Sequence, residues 1–177
     1  MSIKKEIPNI LTLGNLLAGC LGLYFVMQSK LEYAAYMIFI SLVCDFLDGF
    51  LARLLHAYSD IGKELDSLAD VVSFGILPSF ILLNLVEQSC GNQCTIGLFG
   101  FYKPFLVFSL ALMSAYRLAK FNVDTRQTDQ FIGVPTPANG LLVASLPLIL
   151  HFQPEYASYI LNFKGILIYS VIMGYLL

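Results

Sequence analysis

Residues 45–70 read DFLDGFLARLLHAYSDIGKELDSLAD. Of the five aspartates in this stretch, Asp60 falls in a turn, and the other four, Asp45, Asp48, Asp66 and Asp70, sit in mostly apolar sequence that looks membrane-embedded. An aspartate at the centre of a bilayer-spanning helix costs roughly 2.5–3.5 kcal/mol, so four of them are not kept for stability alone. They must face a polar cavity, a cation, or both. A helix turns by about 100° per residue, which puts Asp45, Asp48, Gly49 and Ala52 on one narrow face. The same rule groups Gly62, Asp66, Asp70 and Ser73 on one face of the next helix. Two such helices, antiparallel and joined by a short turn, bring the four carboxylates together. An oxygen-only ligand set suits a hard cation such as Mg²⁺ or Mn²⁺, with Ca²⁺ a third option. Two cations roughly 3.5–4 Å apart form a known arrangement for displacement at phosphorus. Gly49, Ala52 and Gly62 leave room for a ligand to approach the backbone.

Composition agrees with a membrane setting. Of the 177 residues, 58% are hydrophobic and 12% are charged, against about 25% charged in a soluble domain. A net charge of −2 provides no basic footprint for nucleic acid. The expected fold is all-α: a polytopic membrane helix bundle in one domain, 1–177, with about six transmembrane helices. A short polar segment, residues 2–9, leads in at the interface. The expected spans are residues 10–27, 33–55, 62–86, 98–119, 136–152 and 159–177. The last apolar run stops at Leu177 without a charged flank, which leaves open an incomplete sixth helix. Pro78, deep in the third span, predicts a kink.

Several residues outside the aspartate stretch admit two readings. Basic residues and an apolar run before Cys20 are similar to a lipoprotein signal. That run is short, interrupted by Gly14-Asn15, and continues past Cys20, so close helix packing at Gly14, Gly19 and Gly22 is the preferred reading. Cys20 and Cys44 are expected to pack within the membrane. The loop 87–97 contains CGNQC, whose Cys90 and Cys94 lack the partner residues of a zinc site. They form a local disulfide or remain free thiols. His56, in the turn 56–61, is expected to be a solvated residue at a helix end.

The order Asp45, Asp48-Gly49, Ala52-Arg53, Gly62, Asp66, Asp70 matches every position of the signature of the CDP-alcohol phosphotransferase family, which this chain resembles from about Pro8 to its end. Residues 62–75, GKELDSLADVVSFG, look most like the integral-membrane branch of that family that makes phosphatidylserine. Residues 117–123, RLAKFNV, and 131–140, FIGVPTPANG, are similar to that branch as well. The resemblance implies transfer of a phosphatidyl group from CDP-diacylglycerol to L-serine, with release of CMP. It implies that Asp45, Asp48, Asp66 and Asp70 hold two divalent cations, Mg²⁺ or Mn²⁺, and that Asp70 is also the general base. Pro8, Asn9, Thr12, Asp48, Gly49, Ala52, Arg53 and Gly62 would form the CDP site, although Pro8 could equally mark a helix start. Candidates to hold serine are Lys63, Glu64, Arg117, Lys120 and Asn122, with a Lys63–Glu64 interfacial ion pair as the alternative. Family members that make phosphatidylglycerol phosphate typically carry Pro and Lys around the last two aspartates. Ser67 and Val71 stand there instead, which argues against glycerol 3-phosphate or inositol phosphate as the acceptor. A homodimer among membrane lipids is also implied.

Membrane carboxylates also mark ion pathways, so an ion-coupled transporter is the competing class. A proton relay does not need the fixed spacing with Gly49, Ala52, Arg53 and Gly62, and no inverted repeat is visible. Orientation follows from Lys and Arg. With the N-terminus inside, Lys4, Lys5, Arg53, Lys63, Arg117, Lys120 and Arg126 fall on the cytoplasmic side, and Lys30, Lys103 and Lys164 do not. The expected location is therefore the cytoplasmic membrane, with the aspartates near its inner face.

Overall fold

The structure is a computed structural model, and it describes residues 3–90, 94–96, 101–123 and 133–177. Arg126 and most of the loop before Pro135 lie outside the described residues. Helix α1 spans Ile3–Met27 and α2 spans Leu31–Leu54. Both end the same way. Ser29 and His56 take left-handed backbone conformations, with φ of 56° and 48°. The Lys30 N–H then reaches back to the Phe25 carbonyl at 2.9 Å, and the Ala57 N–H to the Ala52 carbonyl at 2.9 Å. These are Schellman closures that satisfy carbonyls left over at a helix end. They turn the chain sharply enough for α2 and the next helix each to pack on α1.

That next helix, α3, spans Asp60–Asp70. It begins two residues before the expected start at 62, because Ser59 caps it and accepts the Gly62 N–H at 3.0 Å. A π-helical segment, Val71–Ile76, follows directly, and α4 continues over Leu77–Cys90. The kink expected at Pro78 takes the form of this wide turn just ahead of the proline. Proline removes one ladder donor, and a π turn shifts the bonding register around it. The Ser79 hydroxyl bonds the Gly75 carbonyl at 2.8 Å. The run Asp60–Cys90 is the central element: 67% of its apolar window is buried, against 22–33% in the other long spans. Phe74, Leu77, Ile81, Leu82 and Leu85 form the core with Ile38 of α2.

Small residues set the closest helix approaches. A β-carbon at Gly19 would stand 2.5 Å from the Ser73 hydroxyl, so α1 can touch the π segment only through glycine. Gly22 meets Leu77 in the same way, whereas Gly14 is in ordinary van der Waals contact with Cys44. Packing by Cys20 is corrected: it is exposed on the outside of α1, while Cys44 is half-buried.

Beyond α4 several boundaries differ from expectation. Cys90 and Cys94 form a disulfide, their Cα atoms 5.4 Å apart. A two-stranded antiparallel hairpin follows, β1 Thr95–Ile96 with β2 Phe101–Tyr102. The fourth apolar stretch is therefore Lys103–Val123, not 98–119. It consists of a 3-10 turn, Lys103–Phe108, and α5, Ser109–Val123. Helix α6, Thr136–Phe152, has the expected bounds, with Pro137 in its first turn. The sixth expected span is broken. A short 3-10 turn, Pro154–Tyr156, and α7, Ala157–Ile160, precede α8, Phe163–Leu176. The two pieces are bent by 67°. Asn162 causes the restart, since its side chain caps α8 by accepting the Gly165 N–H at 3.3 Å.

The N-terminal lead-in is also corrected. Residues 3–9 are helical and belong to α1, with Pro8 inside the helix. Among the described residues, four helices are long and apolar enough to cross a membrane, and the bent pair makes five. Thr136–Phe152 is a shorter apolar helix of 17 residues, at the low end of the spanning range. The protein is an all-α, multi-pass membrane bundle.

Candidate active site

The C-terminal half of α2 and α3 both pack on α1, and their aspartates converge across the space between them. Carboxylate oxygens of Asp45, Asp48 and Asp66 all fall within 4.8 Å of one another. Asp70, one turn beyond Asp66, stands at the edge of the group and lines a cavity together with Asp66. Asp48 and Asp70 are buried, 6% and 7% exposed.

Their hydrogen-bond partners are neutral. The Thr12 hydroxyl lies 2.6 Å from Asp48 Oδ2, short enough for a charge-assisted bond. The Asn15 amide donates to Asp70 Oδ1 at 3.1 Å. Asp66 Oδ1 is buried with no hydrogen-bond partner. Carboxylates gathered this closely with neutral donors and an orphaned oxygen require positive charge from elsewhere. Three mutually close carboxylates with a fourth at their edge fit a hard divalent cation. The donor set therefore accommodates the metal that the sequence suggests.

A cavity of about 450 Å³ opens beside the carboxylates. Pro8, Asn9, Thr12, Asp48, Gly49, Ala52, Arg53 and Gly62 all line it, so all eight expected CDP residues converge. The backbone at Gly49 is open, since a β-carbon there would meet only Arg53 Nη2 at 3.9 Å. At Gly62 a β-carbon would stand 3.0 Å from Asn9 Oδ1, so glycine lets α1 and α3 close the cavity floor.

A second cavity of about 340 Å³ lies on the other side of α3. Asp66, Asp70, Lys63, Ser67, Arg117 and Asn122 line it, together with Thr136 at the start of α6. Asp66 and Lys63 face both cavities. The Asn122 amide bonds Ser67 Oγ at 2.9 Å and approaches Glu64 Oε2 at 3.5 Å. Lys63 Nζ donates to the Asn122 carbonyl at 3.1 Å, rather than to Glu64. Of the five residues expected to hold serine, Lys63, Arg117 and Asn122 reach the cavity. Glu64 touches it through Asn122, and exposed Lys120 does not line it. Lys120 falls about 60° from Arg117, on the side of α5 away from Leu118, Phe121 and Asn122, which line the cavity.

Sequence reasoning missed Asn15, Ser67 and Thr136. Asn15 had a readable signal, standing three residues after Thr12 and so on the same helix face. His56 belongs to the α2 closure.

A family model described as CDP-alcohol phosphatidyltransferase matches residues 5–176. The chain belongs to the CDP-alcohol phosphatidyltransferase family. It is 32% identical to the CDP-diacylglycerol-serine O-phosphatidyltransferase of Bacillus subtilis, over 89% of this chain and 87% of the relative. It is 36% identical to the Helicobacter pylori (strain J99) protein of the same name, over 80% of this chain and 57% of that protein. The archaetidylserine synthase of Methanothermobacter thermautotrophicus is 27% identical, over 94% of this chain and 68% of the relative. Membership in this family of transferases makes the carboxylate group and its two cavities a candidate enzyme site.

Proposed function

We propose that this protein transfers the phosphatidyl group of CDP-diacylglycerol to L-serine, giving phosphatidylserine and CMP. The observation that carries the reading is Asp66, which stands where the two cavities meet. A nucleotide on one side and a small acceptor on the other would react across that wall. The names of the relatives support serine as the acceptor, since they differ in lipid and share serine. Residues 5–176 within one family model support one domain.

In this reading the CDP group lies along Asn9, Thr12, Gly49, Ala52, Arg53 and Gly62, with the Arg53 guanidinium available to phosphate oxygens. Serine sits in the second cavity, its carboxylate toward Arg117 and Lys63 and its ammonium toward Asn122 and Glu64. The serine hydroxyl oxygen forms a bond to the phosphatidyl phosphorus. The bond from that phosphorus to the oxygen shared with CMP breaks, and CMP leaves with that oxygen. Asp70 accepts the hydroxyl proton. Its strength as a base comes from position, because a carboxylate is a weak base. Asp45, Asp48, Asp66 and Asp70 would hold two divalent cations, Mg²⁺ or Mn²⁺. When bound, these neutralise phosphate charge and stabilise the leaving group.

The site lies at the end of the bundle carrying Arg53, Lys63 and Arg117, opposite the Cys90–Cys94 disulfide. A disulfide suits an oxidising exterior, and the positive end suits the cytoplasm. We take the location as the cytoplasmic membrane with the site facing inward, and the assembly as a homodimer. Light scattering in detergent tests the dimer. Side-by-side CMP release with serine, glycerol 3-phosphate and inositol phosphate tests the acceptor.

A further inference from the structure

Asn15 is a fully enclosed polar side chain beside the carboxylates, with no exposed surface. It is held from two directions. Its backbone carbonyl accepts hydrogen bonds from Ser41 of α2 at 3.2 Å and Ser73 of the π segment at 3.1 Å. That fixes the position of its Cα relative to both helices that supply aspartates. Its amide nitrogen then reaches Asp70 Oδ1 at 3.1 Å. Its amide oxygen has no partner, although it is buried. An unpaired buried amide oxygen is costly, and a residue kept only for packing would not carry it. The arrangement is unsymmetrical: one end of the amide is used, and it is the end that touches Asp70.

We propose that Asn15 is a positioning residue for Asp70. It holds one carboxylate oxygen through a short side chain whose backbone is itself pinned, and so fixes the plane of the carboxyl. The inference rests on the proposed role of Asp70 and adds a residue outside the aspartate signature. A carboxylate that acts by placement loses effectiveness steeply when it can rotate. A misplacement of about 1 Å is worth roughly 10²-fold in rate. Substrate binding on the far side of α3 does not depend on that plane.

The test compares Asn15→Leu, which keeps the branching and number of side-chain heavy atoms without the donor, with Asn15→Ser and Ser41→Ala. Ser41→Ala removes a bond to the Asn15 carbonyl but leaves the amide in contact with Asp70. Three quantities are measured: kcat for CMP release with the best acceptor found for the wild type, KM for that acceptor, and Kd for CDP-diacylglycerol in Mg²⁺. The expected result for Asn15→Leu is a loss in kcat of about 10²-fold, with Kd within about threefold of wild type. Ser41→Ala leaves the Ser73 bond to the Asn15 carbonyl and the Asn15 donor in place, so its loss of kcat should be no more than about a tenth of that in Asn15→Leu. If Asn15→Leu does not fold, Asn15→Ser carries the same expectation. Retention of kcat, a parallel loss of kcat and binding, or an equal loss in Ser41→Ala would overturn the proposal. Because each ratio is taken with whatever acceptor the wild type uses, a wrong acceptor sinks the serine reading without touching this one.

Discussion

Asp70 and Asp45 belong to one cluster but are asked to do different things, and single substitutions separate them. Asp70→Asn keeps the size and one ligand oxygen but cannot take a proton. Turnover should fall by about 10²–10⁴-fold, while CDP-diacylglycerol still binds in a Mg²⁺-dependent way. Asp45→Ala should instead lose metal affinity and substrate binding together, because it opens the carboxylate group itself. Binding measured with and without Mg²⁺, beside CMP release, distinguishes the two. Should Asp70→Asn keep a substantial share of turnover, the proton leaves by another route. Chelation should abolish activity, and Mg²⁺ or Mn²⁺ should restore it. Full turnover in metal-free buffer would remove the cation from the account. At the far end of α2, His56 adopts a left-handed backbone with φ of 48°. A non-glycine residue there costs roughly 1–2 kcal/mol, so His56→Gly should raise the unfolding midpoint in detergent and leave CMP release unchanged.

Among the elements, α1 and the central run Asp60–Cys90 depend on contact through glycine. Gly19→Leu would drive a side chain into Ser73, which is tied to Asn15. The expected outcome is a protein that loses both thermal stability and turnover. Gly14→Ala meets only Cys44 Sγ at 3.6 Å and should be tolerated. The same elements show what could be read in advance. The aspartate face was legible because helical spacing alone groups its members, and five of the eight residues that line the first cavity, Asp48, Gly49, Ala52, Arg53 and Gly62, stand in the motif itself. The start of α3 was misplaced because Ser59, an N-cap, was read as part of a turn. The break at Asn162 was hidden because apolar sequence continues on both sides of it, and hydropathy does not report a cap. Lys120 stands in RLAKFNV, a stretch whose resemblance does not separate the residues that face the cavity from those that do not.

For the molecule as a whole, the two ends of the bundle differ in chemistry: carboxylates and basic residues at one, a disulfide and a hairpin at the other. A cysteine placed at His56 should resist an impermeant thiol reagent applied to intact cells. Cys94 should react with it once the disulfide is reduced. The reverse pattern would put the site on the outer face. The central claim is phosphatidyl transfer to serine at a cation-dependent carboxylate site between two cavities. The most direct test is CMP release by the purified protein from CDP-diacylglycerol in Mg²⁺, with serine, glycerol 3-phosphate or inositol phosphate supplied one at a time. Rapid release with serine, formation of phosphatidylserine in equal amount, and little release with either phosphorylated acceptor are expected. Release that ignores serine, or that proceeds best with glycerol 3-phosphate, would contradict that claim.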